Sequence, residues 1–369
     1  MSDSIPARIA KSFDESIKSE DITLYEAESV YEVDDDPSIK VDSVPDHLYK
    51  QYIHVVPTLA GKPGAPPETP DLSKVGPDKE DPLKGPDFGK NEKIMDLEEG
   101  GRKYALLHNL HAMLPEHFML VPHFSEGESF RPQTSDLIPE DLAVAWKVVQ
   151  AYADDGREAA CFFNGGPYAG ASQPHLHIQF APFQQSRPPA CEALARYFPA
   201  PYSEANATPI RLPVPWLHFY LSLPQSVQSS SSTSSLSPAA TQDLHTTYQA
   251  LRKASQAWMK EQNPSTLLEE GPKRESFNLL LTSKYMHLVP RTDRLVKIPR
   301  FASAREIHET DKEEEKEEKR NLAFSLNGFD YLGWNFVGSE EERQDLMKHG
   351  VARTLCKAGY RNEEYGKET

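Results

Sequence analysis

The chain has 369 residues and a mass of 41.5 kDa, enough for one large core or two packed units, so no disulfide or metal staple is needed to keep it folded. Hydrophobic residues make up 38% and charged residues 26%, and a formal net charge of −16 repels nucleic acid and acidic membranes, which excludes a general polyanion binder. No run approaches the roughly 18 apolar residues of a membrane span, and the widely spaced Cys161, Cys191 and Cys356 form neither a disulfide framework nor a Cys-x-x-Cys zinc site.

Residues 1–48 are acidic, with Asp34, Asp35 and Asp36, and carry only a faint helical spacing from Ile9 to Ile17. They are read as a separate N-terminal segment, a surface helix and strand with some disorder. They lack the apolar stretch of a secretory leader, so a cytoplasmic or nuclear location is the expectation. From Pro57 to Gly89 prolines recur at Pro63, Pro66, Pro67 and Pro70, which a regular ladder does not tolerate; a long loop or site wall is predicted. Ala105–His108 and Phe118–Pro122 are short apolar runs around the turn Leu114-Pro115-Glu116, which predicts two strands. Pro139 opens a helix of about four turns with Glu140 and Asp141 in its first turn and Leu142, Ala145, Trp146, Val149 and Tyr152 on its apolar face.

Ala159–Phe163 and His175–Phe180 read as strands flanking the loop 164–174. Ser226–Ser237 is nearly all Ser and Thr and is predicted to be a flexible linker, dividing a catalytic half, 49–224, from a second half, 241–369, with 225–240 between them. Thr241–Glu261 has helical spacing, Phe277–Leu281 and Tyr285–Pro290 read as a hairpin, and Asp311–Arg320 as a charged helix or insertion. Ser339 with Glu342 predicts a capping box that starts one final helix through Leu346, Val351 and Leu355. Short strands joined by brief turns predict an α+β fold with antiparallel sheets and packed helices.

The densest chemistry lies in Asn164-Gly165-Gly166-Pro167-Tyr168-Ala169-Gly170-Ala171-Ser172-Gln173-Pro174-His175-Leu176-His177-Ile178-Gln179. In a strand, alternate residues share a face, so His175, His177 and Gln179 form a polar row while Leu176, Ile178 and Phe180 face the core. The preceding glycines and Ser172 could turn backbone N–H groups toward phosphate oxygens. A neutral imidazole is a competent nucleophile at phosphorus near pH 7 when its second nitrogen is held as a donor by a carbonyl. An amide such as Gln179 can donate to non-bridging oxygens without acting as acid or base. A metal edge is disfavoured because no acidic or Cys partner lies nearby in sequence, and a purely structural histidine pair is disfavoured by the glycine-rich loop before it.

At these residues the chain resembles the diadenosine tetraphosphate phosphorylases, or ATP adenylyltransferases, of the histidine triad superfamily, with galactose-1-phosphate uridylyltransferases as more distant relatives. The resemblance rests on Gly170-Ala171-Ser172-Gln173-Pro174-His175-x-His177-x-Gln179, with Leu176 where a uridylyltransferase is expected to have proline. It extends to Lys62-Pro63, to Asn109 with Leu114–Val121, and to Phe277-Asn278-Leu279 through Val289-Pro290-Arg291. It implies a histidine-triad-like fold of two related halves, with His177 as nucleophile, His175 beside it and Gln179 holding phosphate.

Lys62, Asn109, Asn164, Gly170, Ala171, Ser172 and Gln173 are then implied to bind substrate, as are Asn278, Thr282, Lys284, Met286 and Arg291 in the second half. Leu110 departs from the basic residue expected there. The implied reaction is cleavage of diadenosine tetraphosphate by inorganic phosphate to ATP and ADP through an adenylyl-histidine. Lys62, Lys284, Arg291 and Mg²⁺ carried with the nucleotide are the expected phosphate counter-charges, with no tightly bound cofactor or metal, and with small nucleotides and phosphate rather than nucleic acid or membrane as partners. The alternatives are a uridylyl or guanylyl transferase acting on a sugar phosphate, and a nucleotide-binding module without catalysis.

Overall fold

A computed structural model describes residues 4–33, 50–61, 83, 92–123, 131–183, 187–198, 208–262, 275–303, 305–306, 308, 310–363 and 365. Helix α1 (Ile5–Lys18) starts at Ser4, whose hydroxyl accepts from the Ala7 N–H, with proline in the first turn. It is followed by β1 (Thr23–Leu24), β2 (Ser29–Val33) and β3 (Gln51–Val55), then a short 3₁₀ turn at Pro57–Gly61. Next come β4 (Lys93–Glu99), β5 (Arg102–His108), β6 (His111–Ala112), β7 (Phe118–Pro122), α2 (Pro139–Asp154), β8 (Glu158–Gly165), β9 (Ile178–Phe183) and α3 (Ala190–Tyr197). The chain continues through β10 (Ile210–Arg211), β11 (Phe219–Ser222), α4 (Gln225–Gln228), α5 (Pro238–Gln262), β12 (Ser276–Leu281), β13 (Tyr285–Arg291) and β14 (Leu295–Pro299). It closes with α6 (Glu313–Arg320), β15 (Asn321–Ser325), α7 (Gly328–Leu332), β16 (Trp334–Val337), α8 (Glu340–His349) and α9 (Val351–Ala358).

Nine strands form one antiparallel sheet in the order β10-β11-β13-β12-β8-β9-β7-β5-β4. From the outside toward the central β8–β12 pair, one side runs β5-β7-β9-β8 and the other β10-β11-β13-β12. Each is a pair of strands, a helix (α2 or α5), then a hairpin folded back toward the middle. The expected two related halves are therefore visible in the topology, although the sequence shows no repeat.

Alternation along each strand sorts the side chains between two cores. On one face Leu106, Phe118, Phe163, Ile178, Phe180, Leu279, Met286 and Leu288 pack under α2 and α5 with Trp146, Tyr152, Leu244 and Leu251. Each such aliphatic or aromatic side chain contributes about 1.5–3 kcal/mol on burial. On the other face Phe162, Ala181, Leu280 and Val289 meet α7, α8, α9 and the small sheet β16-β3-β2 through Phe329, Trp334, Leu346 and Leu355. The predicted strand pairs, the helix from Pro139, the long helix after the Ser-rich tract and the charged helix, which buries nothing, all stand in the structure.

The N-terminal segment has the expected helix and strand, α1 and β2, held against the rest of the chain by Ile9 in the main core and by the pairing of β2 with β3; the Asp34–Asp36 run lies outside the described residues. Three expectations are corrected. The Ser-rich tract is packed rather than flexible: Val227 and Leu236 are buried, Ser232 bonds to Asp154 at 2.6 Å and Ser235 to Glu99 at 2.9 Å. Two buried apolar side chains and carboxylate acceptors from α2 and β4 replace the ordering energy that composition alone lacks. The final helix is two helices, broken at Gly350, whose φ of 97° is a left-handed backbone value that ends α8. Its N-cap forms only in part, since Ser339 accepts from the Glu342 N–H while the Glu342 carboxylate reaches Gly338 instead. Finally, two short pairings, β1 with β6 and β16 with β3, are parallel.

Candidate functional site

The two histidines stand just ahead of β9, which begins at Ile178. The alternation still holds: Leu176 and Ile178 enter the helix-covered core, while Gln179 is half-buried between them and Ala181 of the other core. His177, only 2% exposed, places Nδ1 at 2.8 Å from the His175 carbonyl oxygen. A carbonyl only accepts, so Nδ1 carries the proton and Nε2 is the ring's basic nitrogen. The role of His175 in this contact is its main chain; its side chain is buried.

Gln179 is oriented by a residue the sequence did not single out. His117, at the end of the turn before β7, accepts the Met113 N–H at Nδ1 over 3.3 Å, so its Nε2 is protonated and donates to Gln179 Oε1 at 3.0 Å. The Gln179 carboxamide is thereby turned with its NH₂ as the remaining donor. Glu116, in the left-handed region at φ 55°, fixes the turn ahead of His117 through Tyr152 and Arg157. Asn109 lies beside the group, its Nδ2 3.4 Å from His117 Nε2 in a contact between two donors, and its Oδ1 takes the His111 N–H. Leu110 is 39% exposed, as befits the position where a basic residue was expected.

From the second half a directional chain of hydrogen bonds reaches the same place. Arg291 donates to Asn278 Oδ1 at 2.5 Å, and Asn278 Nδ2 donates to Asn164 Oδ1 at 2.8 Å and to the Ala169 carbonyl at 2.9 Å. Asn164 Oδ1 also takes the Gly328 N–H, so its Nδ2 is left as the donor, and that atom is buried with no partner among the described residues. A buried orphan donor costs about 1–3 kcal/mol and calls for an acceptor. Two rungs beyond the Phe162–Gln179 pair, the register sets Asn164 opposite His177, on the Gln179 face. In the second half the same geometry puts Val289 opposite Asn278, so only one half carries the imidazole.

The glycine loop is closed from above by residues 326–330. Gly170, at φ 87°, is so close that an added Cβ would lie 2.2 Å from the Leu326 carbonyl oxygen, which no side chain permits. Ala171 is buried, Gln173 half-buried and Ser172 exposed, so the loop's outer side is open to solvent. Phe329 packs edge-on against His117 with ring centres 4.9 Å apart. Next to it Asp330 is almost fully covered, and burial pushes its carboxyl up to about 7, against the pull of Arg291.

Between the unfolded carboxyl's ordinary value near 4 and about 7, the folded chain holds a proton that the unfolded chain does not. Stability from this group is therefore present at low pH and lost as pH rises through 7. The D330N variant is expected to gain on wild type by on the order of 2–4 kcal/mol between pH 5 and pH 8 in urea unfolding; a gap that stays level with pH contradicts this.

Not every expected residue is here. Thr282 is buried against Glu192, Lys284 is exposed in the hairpin turn, and both lie roughly 13 Å along the strand from Asn278. Met286 points into the core on the opposite face of the sheet. Arg291 is 3% exposed, with its donors spent on Asn278 and on the Ala358, Asp293 and Leu326 carbonyls; it braces the loop rather than offering a free cation. Lys62 lies outside the described residues.

Residues 88–194 match the family description "Ap4A phosphorylase N-terminal domain", and residues 212–361 match "ATP adenylyltransferase C-terminal domain". Among curated proteins, diadenosine 5',5'''-P1,P4-tetraphosphate phosphorylase 2 of Saccharomyces cerevisiae is 28% identical over 349 residues, covering 88% of each chain. Protein APA1 of the same yeast is 29% identical over 245 residues, 61% of this chain and 65% of that one. Among solved structures, yeast Ap4A phosphorylase Apa2 superposes with a TM-score of 0.70 at 22% identity, over 100% of this chain and 98% of that one; this is a likeness of fold. The N-terminal match holds the His177 strand and the C-terminal match holds Asn278 and Arg291, so the site is built across both, and the chain belongs to the diadenosine tetraphosphate phosphorylase (ATP adenylyltransferase) family.

Proposed function

We propose that the protein cleaves diadenosine tetraphosphate with inorganic phosphate, releasing ATP and ADP, with His177 as the nucleophile. The observation that carries this reading is the Nδ1 contact to the His175 carbonyl, which leaves Nε2 as the nitrogen able to attack phosphorus. In the first step Nε2 bonds to the α-phosphorus and the bond from that phosphorus to the bridging oxygen breaks, so that ATP departs. The imidazole retains its Nδ1 proton and becomes cationic, and the His175 carbonyl dipole steadies that charge. In the second step an oxygen of inorganic phosphate attacks the same phosphorus, the N–P bond breaks, and ADP leaves. Two in-line inversions give net retention at phosphorus.

Gln179, held by His117, and Asn164, held by Asn278, both face this centre with amide donors, and we assign them to the non-bridging oxygens on which charge accumulates. Of the expected counter-charges, Arg291 is occupied and Lys284 is distant, which leaves Lys62 and a Mg²⁺ carried by the polyphosphate. Among the described residues no three His, Cys, Asp or Glu side chains converge into a metal site.

Product analysis tests the activity: ATP and ADP should appear in equal amounts only when phosphate is supplied, and turnover of a uridine or guanosine sugar phosphate in preference redirects the reading to the alternative transferases. Gln179→Leu, which keeps bulk and removes the donor, is expected to lower kcat by about 10²–10³-fold; unchanged kcat under saturating substrate would exclude the amide from the transition state.

A further inference from the structure

His177 sits where the sheet's ladder has already stopped. Paired rungs with β8 end at Phe162–Gln179, and those with β7 end at Leu120–Ile178, so the buried main chain of His177 lies just past the last rung on either side, where its N–H and C=O still need hydrogen bonds. Both are taken by one side chain. Gln133 Oε1 accepts the His177 N–H at 2.8 Å, and Gln133 Nε2 donates to the His177 carbonyl at 3.2 Å and to the Asn164 carbonyl at 3.1 Å. Its carboxamide thus stands in for a rung, wedged between the strand that carries Asn164 and the segment that carries His177.

The wedge is itself anchored. The Gln133 N–H donates to the Pro174 carbonyl at 2.7 Å, the Leu176 N–H to the Arg131 carbonyl at 2.9 Å, and Pro132 bridges His175. Arg131 grips the buried Asp141 at the start of α2 through both terminal guanidinium nitrogens, at 2.6 and 2.7 Å, and Tyr104 adds a third side-chain bond to the same carboxylate. Arg131, Pro132 and Gln133 therefore tie the histidine segment to the first turn of α2.

We propose that Gln133 is a positioning residue for His177: it sets the distance and orientation of the imidazole relative to Asn164 without touching substrate. Glutamine is required by the bonding pattern. Asparagine is one methylene too short to span both strands, methionine can make none of the three bonds, and glutamate offers no donor to the two carbonyls unless it is protonated. This inference rests on His177 being the nucleophile.

The test is the single-turnover rate of acid-labile labelling by diadenosine tetraphosphate bearing radioactive α-phosphate, measured on the full chain. If wild type takes no label, the nucleophile assignment fails, and the positioning role falls with it. If wild type is labelled, Q133M is expected to label about 30–100-fold more slowly with KM within threefold, because a displacement near 1 Å at the reacting atom costs rate rather than binding. Labelling within twofold of wild type, or a loss confined to KM, overturns the positioning role while leaving His177 in place. Should Q133M fail to fold, Q133E decides. Its carboxyl, facing two carbonyls, gains a donor on protonation, so its rate relative to wild type is expected to rise at least fivefold from pH 8 to pH 5.5. A ratio independent of pH overturns the proposal.

Discussion

The H177A variant is expected to lose phosphorolysis by a factor on the order of 10⁴ or more and to take up no label from the α-phosphate, while still binding nucleotide. The size follows from the route: without the imidazole there is no covalent intermediate, and the remaining groups can only favour direct attack of phosphate through the donors of Gln179 and Asn164. Folding should be little changed, since the backbone of His177 stays clamped by Gln133 whatever its side chain. Circular dichroism and nucleotide binding by calorimetry, run beside the activity assay, separate loss of chemistry from loss of structure. Activity within tenfold of wild type removes His177 from the reaction.

Replacing Arg291 by methionine is expected to cost about 3–5 kcal/mol of stability, with activity falling even where the chain is still folded. The guanidinium is buried under Tyr331, 5.1 Å from that ring's centre, and its loss strands Asn278 Oδ1 and the carbonyls of Asp293 and Leu326 without their donor, while the Ala358 carbonyl keeps only the Thr292 and Asp293 N–H groups. These are not surface bonds that water can replace; each orphaned acceptor keeps its desolvation cost. Activity follows because Asn278 is free to turn once its Oδ1 is released, and Asn164 then loses the bond that presents its Nδ2. Lysine should not rescue, since a single ammonium cannot reproduce a planar fork reaching four groups. Urea unfolding of R291M and R291K, with kcat measured well below their midpoints, checks both parts; a stability loss under 1 kcal/mol contradicts the brace.

The elements that the sequence showed plainly are those whose period is set by burial alone. The helix from Pro139, the hairpin from Phe277 and the alternation Leu176, Ile178, Phe180 each place apolar side chains against one core, and such periodicity survives without knowledge of what covers it. His177 and Gln179 were legible for the same reason, as the polar phase of that alternation.

What brings partners to them was not. Gln133 lies 44 positions before His177 in an irregular stretch, and His117 lies 62 before Gln179, so their contacts depend on how strands stack rather than on local spacing. The Ser-rich tract misled because its order comes from Asp154 and Glu99 on other elements. Arg291 shows the limit of reading a cation near a phosphate site as a phosphate ligand: a buried guanidinium surrounded by carbonyls is already satisfied. Met286 and Thr282 were displaced by strand parity and by the length of β12, which the family resemblance does not encode.

The most direct measurement is mapping of the covalent intermediate. Protein mixed with diadenosine tetraphosphate labelled at the α-phosphate, quenched before phosphate is added, should carry one acid-labile, base-stable label, recovered on the peptide that contains His177 and discharged as ADP when phosphate is supplied. Label on any other peptide, or label that phosphate cannot discharge, contradicts the assignment of His177 as the group that accepts and passes on the adenylyl moiety.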